Sequence, residues 1–202
     1  MASTPNRVAI IGAGSVGSDI AFALILRRLA AEIVLVDVDT ARCHAQVQDL
    51  SDGAFLSSTR VREGSFKDAG QCDIIVITAG AKQRPGESRT DLLGRNMGIL
   101  KAVLDDMKPL RPDAILLIVA NPVDVLTFFA QNMSGLPRRQ VIGTGTFLDT
   151  ARLRIFLAEE TQASQHPAGV VALPPIYSIQ NDLWSQIGCR QIDPCVCSWG
   201  TW

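Results

Sequence analysis

Val8-Ala-Ile-Ile11 runs straight into Gly12-Ala-Gly14-Ser-Val-Gly17, and Val16–Ala30 then carries a helical apolar pattern closed by the Arg27–Arg28 pair. A G-x-G-x-x-G pattern alone is weak, because glycines also mark ordinary turns. Here an apolar β-branched strand precedes it and a helix follows. In that setting Gly12 allows a tight turn, Gly14 lets the backbone approach a pyrophosphate, and Gly17 lets helix and strand pack closely. The helix start adds unpaired N–H groups and the positive end of a dipole to the phosphate side. Gly12, Gly14, Ser15, Val16 and Gly17 are therefore candidate dinucleotide contacts.

The next apolar run, Ile33–Val36, ends at Asp37, twenty residues beyond Gly17. A carboxylate there accepts hydrogen bonds from a ribose diol and repels a 2′-phosphate, so NAD is expected rather than NADP. The plainer reading is an aspartate capping a strand-end turn. Asp39 is a rival for the ribose role.

Further short, unalternated apolar runs follow at Ile74–Ile77, Ile115–Val119 and Val141–Ile142, as expected of strands covered on both faces. Helical patterns fall between them at Ala41–Leu50, Thr90–Met107, Val123–Met133 and Leu148–Glu160. Gly135 and Pro137 supply a stop signal after the third of these. Strand–helix alternation implies an α/β, Rossmann-type doubly wound parallel sheet of about six strands over residues 1–165.

From His166 the composition changes. The last 37 residues hold only three charges (Asp182, Arg190, Asp193) but all three tryptophans, three of five cysteines and four of ten prolines. Pro167, Pro174, Pro175 and Pro194 oppose any long helix. Residues 166–202 are expected to form an irregular tail outside the sheet domain. Cys189, Cys195 and Cys197 lack knuckle spacing and a nearby histidine, so no metal site is expected.

The whole chain is 202 residues, 47% apolar and 19% charged, with 19 Lys+Arg against 20 Asp+Glu. That is too apolar for a disordered chain and too neutral for a nucleic-acid partner. No wholly apolar stretch is long enough for a membrane span, and the polar start, Met1–Arg7, does not read as a signal peptide. An odd cysteine count fits reduced thiols and a cytoplasmic location.

Several segments together resemble the N-terminal half of the lactate/malate dehydrogenase family, and its L-lactate dehydrogenase branch most. They are Ile10–Gly17, Ile33–Asp37, Ile77-Thr-Ala-Gly80, Pro85-Gly-Glu-Ser-Arg89, Asn121-Pro-Val-Asp124 and Gly145-Thr-Phe-Leu-Asp-Thr-Ala-Arg152. The resemblance implies NAD-dependent hydride transfer between a 2-hydroxy acid and a 2-oxo acid, lactate and pyruvate in that branch. It implies that Thr78, Ala79 and Gly80 line the cofactor and that Ala81–Arg89 forms a mobile lid. Arg89 would face the substrate keto oxygen. Asn121 would hydrogen-bond the substrate oxygen and touch the nicotinamide side. Arg152 would clamp the substrate carboxylate in a two-pronged salt bridge, and Asp149 would orient a catalytic histidine. The pair is also readable as an intrahelical ion pair on a solvated face.

Gln83 occupies the position where malate enzymes of the family carry an arginine, so a neutral methyl end of pyruvate is expected there. The neighbouring Arg84 keeps malate as the alternative. The family also implies homo-oligomers, so self-association is expected.

One element is missing. The family's acid/base histidine should follow Asp149 by somewhat under thirty residues, yet Val170–Ser178 contains none. His44 and His166 are the only histidines, and neither stands where the family places one. Most of the substrate domain has no counterpart either. The expectation is thus a truncated dehydrogenase with a foreign ending: an L-lactate dehydrogenase-type enzyme of little activity, an inactive module still able to hold NAD, or an unstable product.

Overall fold

The computed structural model describes residues 6–161 apart from 54, 56, 83, 85 and 87; for Arg89, Thr146 and residues 157–161 it describes the backbone alone. Two compact units divide after Gly145. The first holds six parallel strands: β1 (Arg7–Ile11), β2 (Glu32–Val36), β3 (Arg60–Glu63), β4 (Ile74–Ile77), β5 (Ile115–Ile118) and β6 (Val141–Gly143). Their order across the sheet is β3-β2-β1-β4-β5-β6. The chain winds outward from β1 to β3, returns to β4 on the other side of β1, and winds outward again. In such sheets the ligand crevice lies at this reversal, beyond the carboxyl ends of β1 and β4. Their register pairs Val8 with Ile74 and Ile11 with Ile77.

The unalternated runs are explained by burial on both faces. Val8, Ile10, Ile33 and Leu35 point to one side, where they meet Ala21 and Ile25 of α1 (Ser15–Arg27) and Cys43 and Leu50 of α2 (Thr40–Gly53). Ala9, Ile11, Val34, Val36, Ile75 and Ile77 point to the other. There they pack on Leu100, Leu104 and Met107 of α4 (Arg89–Met107) and Leu126 of α5 (Val123–Met133). Each fully buried Ile or Leu in these layers contributes roughly 1.5–3 kcal/mol.

Three features differ from the sequence reading. Strand β3 carries the alternating polar text Arg-Val-Arg-Glu; it forms at the sheet edge, where only one neighbour and one partly covered face are needed. The short α3 (Phe66–Gly70) is fixed by a capping box between Ser65 and Asp68. Helix α1 stops at Arg27 rather than Ala30, because Arg28 adopts a left-handed φ of 52°. Its N–H and that of Leu29 turn back to the carbonyls of Ile25 and Leu24, both at 3.1 Å.

The second unit begins with most of α6 (Gly145–Thr161). The tail expected from His166, and with it the boundary expected at 165, lies outside the described residues. Among the described residues, no helix is long and apolar enough to cross a membrane.

Candidate functional site

At the carboxyl end of β1 the three glycines do different work. Gly12 has φ +110°, which only glycine adopts readily, and a Cβ there would lie 2.8 Å from both the Ala79 nitrogen and Thr78 Oγ1. A Cβ on Gly17 would lie 1.9 Å from the Gly12 carbonyl oxygen. Gly14 is the opposite case: a Cβ there would meet nothing within 4 Å. It is the N-cap of α1 and has no side chain to satisfy the first N–H groups of the helix, and Gly14, Ser15 and Val16 are all exposed. Thr78 does not reach into the space beside Gly14. Its hydroxyl lies 3.0 Å from each of the Ile11 and Gly12 carbonyls and props the turn from beneath.

Asp37 closes the β2 side. Its Oδ2 accepts the Ala13 N–H at 2.6 Å, and its Oδ1 accepts the Asp39 N–H at 2.9 Å. The carboxylate is thus locked beside the glycine turn, with lone pairs left over for a diol. The rival, Asp39, is engaged at the start of α2, accepting the Arg42 N–H at 3.0 Å and pairing with its guanidinium at 3.1 Å.

These residues fit a dinucleotide. An uncapped helix N-terminus suits the pyrophosphate, the bare face of Gly14 gives it room, and Asp37 suits an unphosphorylated ribose.

On the other side of β1 the crevice is floored by the segments after β4 and β5. Gly80 passes close to β5's continuation, since a Cβ on it would lie 3.4 Å from that of Ala120. Asn121 is exposed, follows Ala120, and is joined to Pro122 by a cis peptide. The Ala81–Arg89 segment is described in part: Gly86 has φ +79°, and Ser88 caps α4 by accepting the Asp91 N–H. Gln83 lies outside the described residues. Arg89 is the first residue of α4, and its side chain also lies outside them.

Asp149 and Arg152 belong to the second unit. They share one face of α6, both exposed, with guanidinium and carboxylate 3.5 Å apart. His44, on α2, pairs with Glu63 of the edge strand β3 at 2.6 Å. Three strands of the sheet stand between β3 and the β5 end that carries Asn121. His166 lies outside the described residues. Cys43 and Cys72 are buried free thiols, and burial pushes both thiols up, so neither reads as a nucleophile. Among the described residues no cluster of His, Cys, Asp and Glu could hold a metal ion.

One residue was overlooked in the sequence. Asn96 is 3% exposed within α4 and hydrogen-bonds the backbone on both sides of the crevice floor. Its signal was present: it falls on the apolar stripe of Leu93, Leu100, Val103 and Met107, at three- and four-residue spacings, where a polar residue needs a reason.

Residues 6–143 match the family described as lactate/malate dehydrogenase, NAD-binding domain. The chain is 54% identical over 154 residues to L-lactate dehydrogenase A of Rhizopus oryzae, covering 76% of this chain and 48% of that protein. It is 44% identical over 155 residues to an L-lactate dehydrogenase of Clostridium perfringens, covering 76% and 49%. The chain thus spans about half the length of these relatives. Among solved structures, a lactate dehydrogenase from a deep-sea metagenome library superposes with a TM-score of 0.76 at 32% identity, covering 89% of this chain and 64% of that one. The minor L-lactate dehydrogenase of Enterococcus mundtii gives 0.76 at 30%, covering 88% and 63%.

Proposed function

This chain belongs to the lactate/malate dehydrogenase family and carries its NAD-binding domain; from that premise we propose that it is the coenzyme-holding part of an L-lactate dehydrogenase-type oxidoreductase. Bound NAD supplies the hydride acceptor, and NADH the donor, for interconverting lactate and pyruvate. The observation that carries the reading is the 2.6 Å bond from the Ala13 N–H to Asp37, which fixes the ribose carboxylate against the phosphate turn.

In this reading Asp37 accepts the ribose hydroxyls, the Ser15 and Val16 N–H groups meet the pyrophosphate, and Thr78 to Gly80 support the coenzyme from below. Arg89 and Asn121 face the substrate oxygen and stabilise the charge that grows on it. Arg152 takes the carboxylate, and Asp149 serves to orient an acid/base histidine. Gln83 favours the methyl end of pyruvate; the adjacent exposed Arg84 supports oxaloacetate or malate as a second substrate pair.

Reduction of a ketone leaves an oxyanion that must take up a proton, and a positioned general acid is worth roughly 10²–10⁴ in rate. No histidine stands in Val170–Ser178. These 202 residues are therefore proposed to bind NAD and not to turn over pyruvate efficiently by themselves.

Calorimetric titration tests the first half and NADH absorbance the second. NAD should bind and NADP should bind far more weakly, while NADH absorbance should stay almost constant on adding pyruvate. Absence of binding to either oxidation state sinks the coenzyme assignment; turnover at an ordinary enzyme rate sinks the second half.

A further inference from the structure

A buried asparagine inside a helix is costly in propensity and in desolvation, and it persists where its polar atoms are used. The carboxamide of Asn96 is used across the crevice floor. Its Oδ1 accepts the Ala81 N–H at 2.7 Å, and its Nδ2 donates to the Asn121 carbonyl at 2.7 Å. One partner can only donate and the other only accept, so the amide orientation is fixed. Gly80 lies directly over the group, since a Cβ on it would be 3.6 Å from Nδ2. The preceding residue, Arg95, adds a second tie by donating from Nη2 to the Lys82 carbonyl at 3.0 Å. Strands β4 and β5 end at Ile77 and Ile118, so beyond them one side chain of α4 links the two departing segments.

We infer that Asn96 is a positioning residue for the nicotinamide end of the coenzyme site, holding the backbones of Ala81 and Asn121 in one relative placement. This rests on the NAD assignment proposed above. The sheet order puts Asp37 at β2 and Asn121 at β5, on opposite sides of β1 and β4. A dinucleotide whose adenosine ribose meets Asp37 therefore reaches the Asn96 clamp only with its nicotinamide half. ADP-ribose keeps the second ribose and lacks only the nicotinamide ring, so comparing it with NADH isolates what the clamp contributes at the ring.

That difference separates positioning from mere stabilisation. NADH and ADP-ribose are titrated calorimetrically into the full chain and into Asn96→Ala and Asn96→Asp, with melting followed in parallel. Loss of one or two buried hydrogen bonds should weaken NADH by about tenfold and leave ADP-ribose within about twofold. The carboxylate introduced by Asn96→Asp can still accept from Ala81 but cannot donate to Asn121. Protonating it on acidification restores the donor, so that variant alone should regain NADH affinity at low pH. If Asn96→Ala does not fold, Asn96→Asp decides. An unchanged NADH to ADP-ribose ratio in Asn96→Asp, or an equal loss of both ligands, overturns the inference while the NAD assignment stands. A wild-type chain that binds neither ligand removes both.

Discussion

Gly17 sits so close to Gly12 that a methyl group on it would lie 1.9 Å from the Gly12 carbonyl oxygen. Helix α1 is thereby seated against the turn that precedes it, whereas Gly14 between them faces open space. The two glycines should separate in experiment. Gly17→Ala should lose at least about 2 kcal/mol of stability, because backbone must move to admit the methyl. Gly14→Ala should lose no more than about 1 kcal/mol, the difference between glycine and alanine at an N-cap, and still bind NAD at least about tenfold more weakly, the methyl filling the pyrophosphate's place. Chemical denaturation and calorimetry on both variants check this; equal stability loss in the two would refute the division of roles.

Asp37 joins structure to specificity. In Asp37→Ala the Ala13 N–H loses its partner, costing about 1–3 kcal/mol, and NAD affinity should fall by more than about tenfold. Asp37→Asn keeps an acceptor oxygen and removes the charge. It should narrow the gap between NAD and NADP by improving NADP, an outcome read directly from the two dissociation constants.

Glu32 governs part of the acid response. Burial pushes its carboxyl up, but hydrogen bonds from Arg62 at 3.0 Å and Arg7 at 2.9 Å outweigh this and hold it below the usual glutamate value. The folded state thus binds the proton less readily than the unfolded chain. Its stabilising contribution is complete above the usual glutamate value and is lost as pH falls through the lowered folded one. Glu32→Gln should cost about 1 kcal/mol at neutral pH and flatten the acid limb of a stability–pH curve. A variant curve parallel to wild type would contradict this.

Helix α1 exposes Phe22 and Leu26, four residues apart on one face, and Leu29 is exposed just past its end; the three are 46–57% accessible. Such a patch invites self-association. Light scattering of wild type should show mass rising with concentration, and Phe22→Lys with Leu26→Lys should reduce it. A sharp monomer at every wild-type concentration would rule the patch out as a contact.

The sequence by itself determined the parallel sheet, because Val8–Ile11, Ile33–Val36 and Ile74–Ile77 are apolar at consecutive positions and can be satisfied only with helices on both faces. It also marked the glycine turn and Asp37, whose spacing is set by the chain's own path from strand to helix to strand. Strand β3 was not legible, since Arg60–Glu63 owes its conformation to pairing with Glu32–Leu35 rather than to any pattern of its own. The bond that ties Asp37 to the Ala13 N–H, the inward role of Thr78, and the Asn96 clamp were decided by tertiary structure alone. Each depends on a hydrogen bond between segments distant in sequence or on which way one side chain turns. Local spacing fixes neither, because those partners meet only after the sheet has assembled.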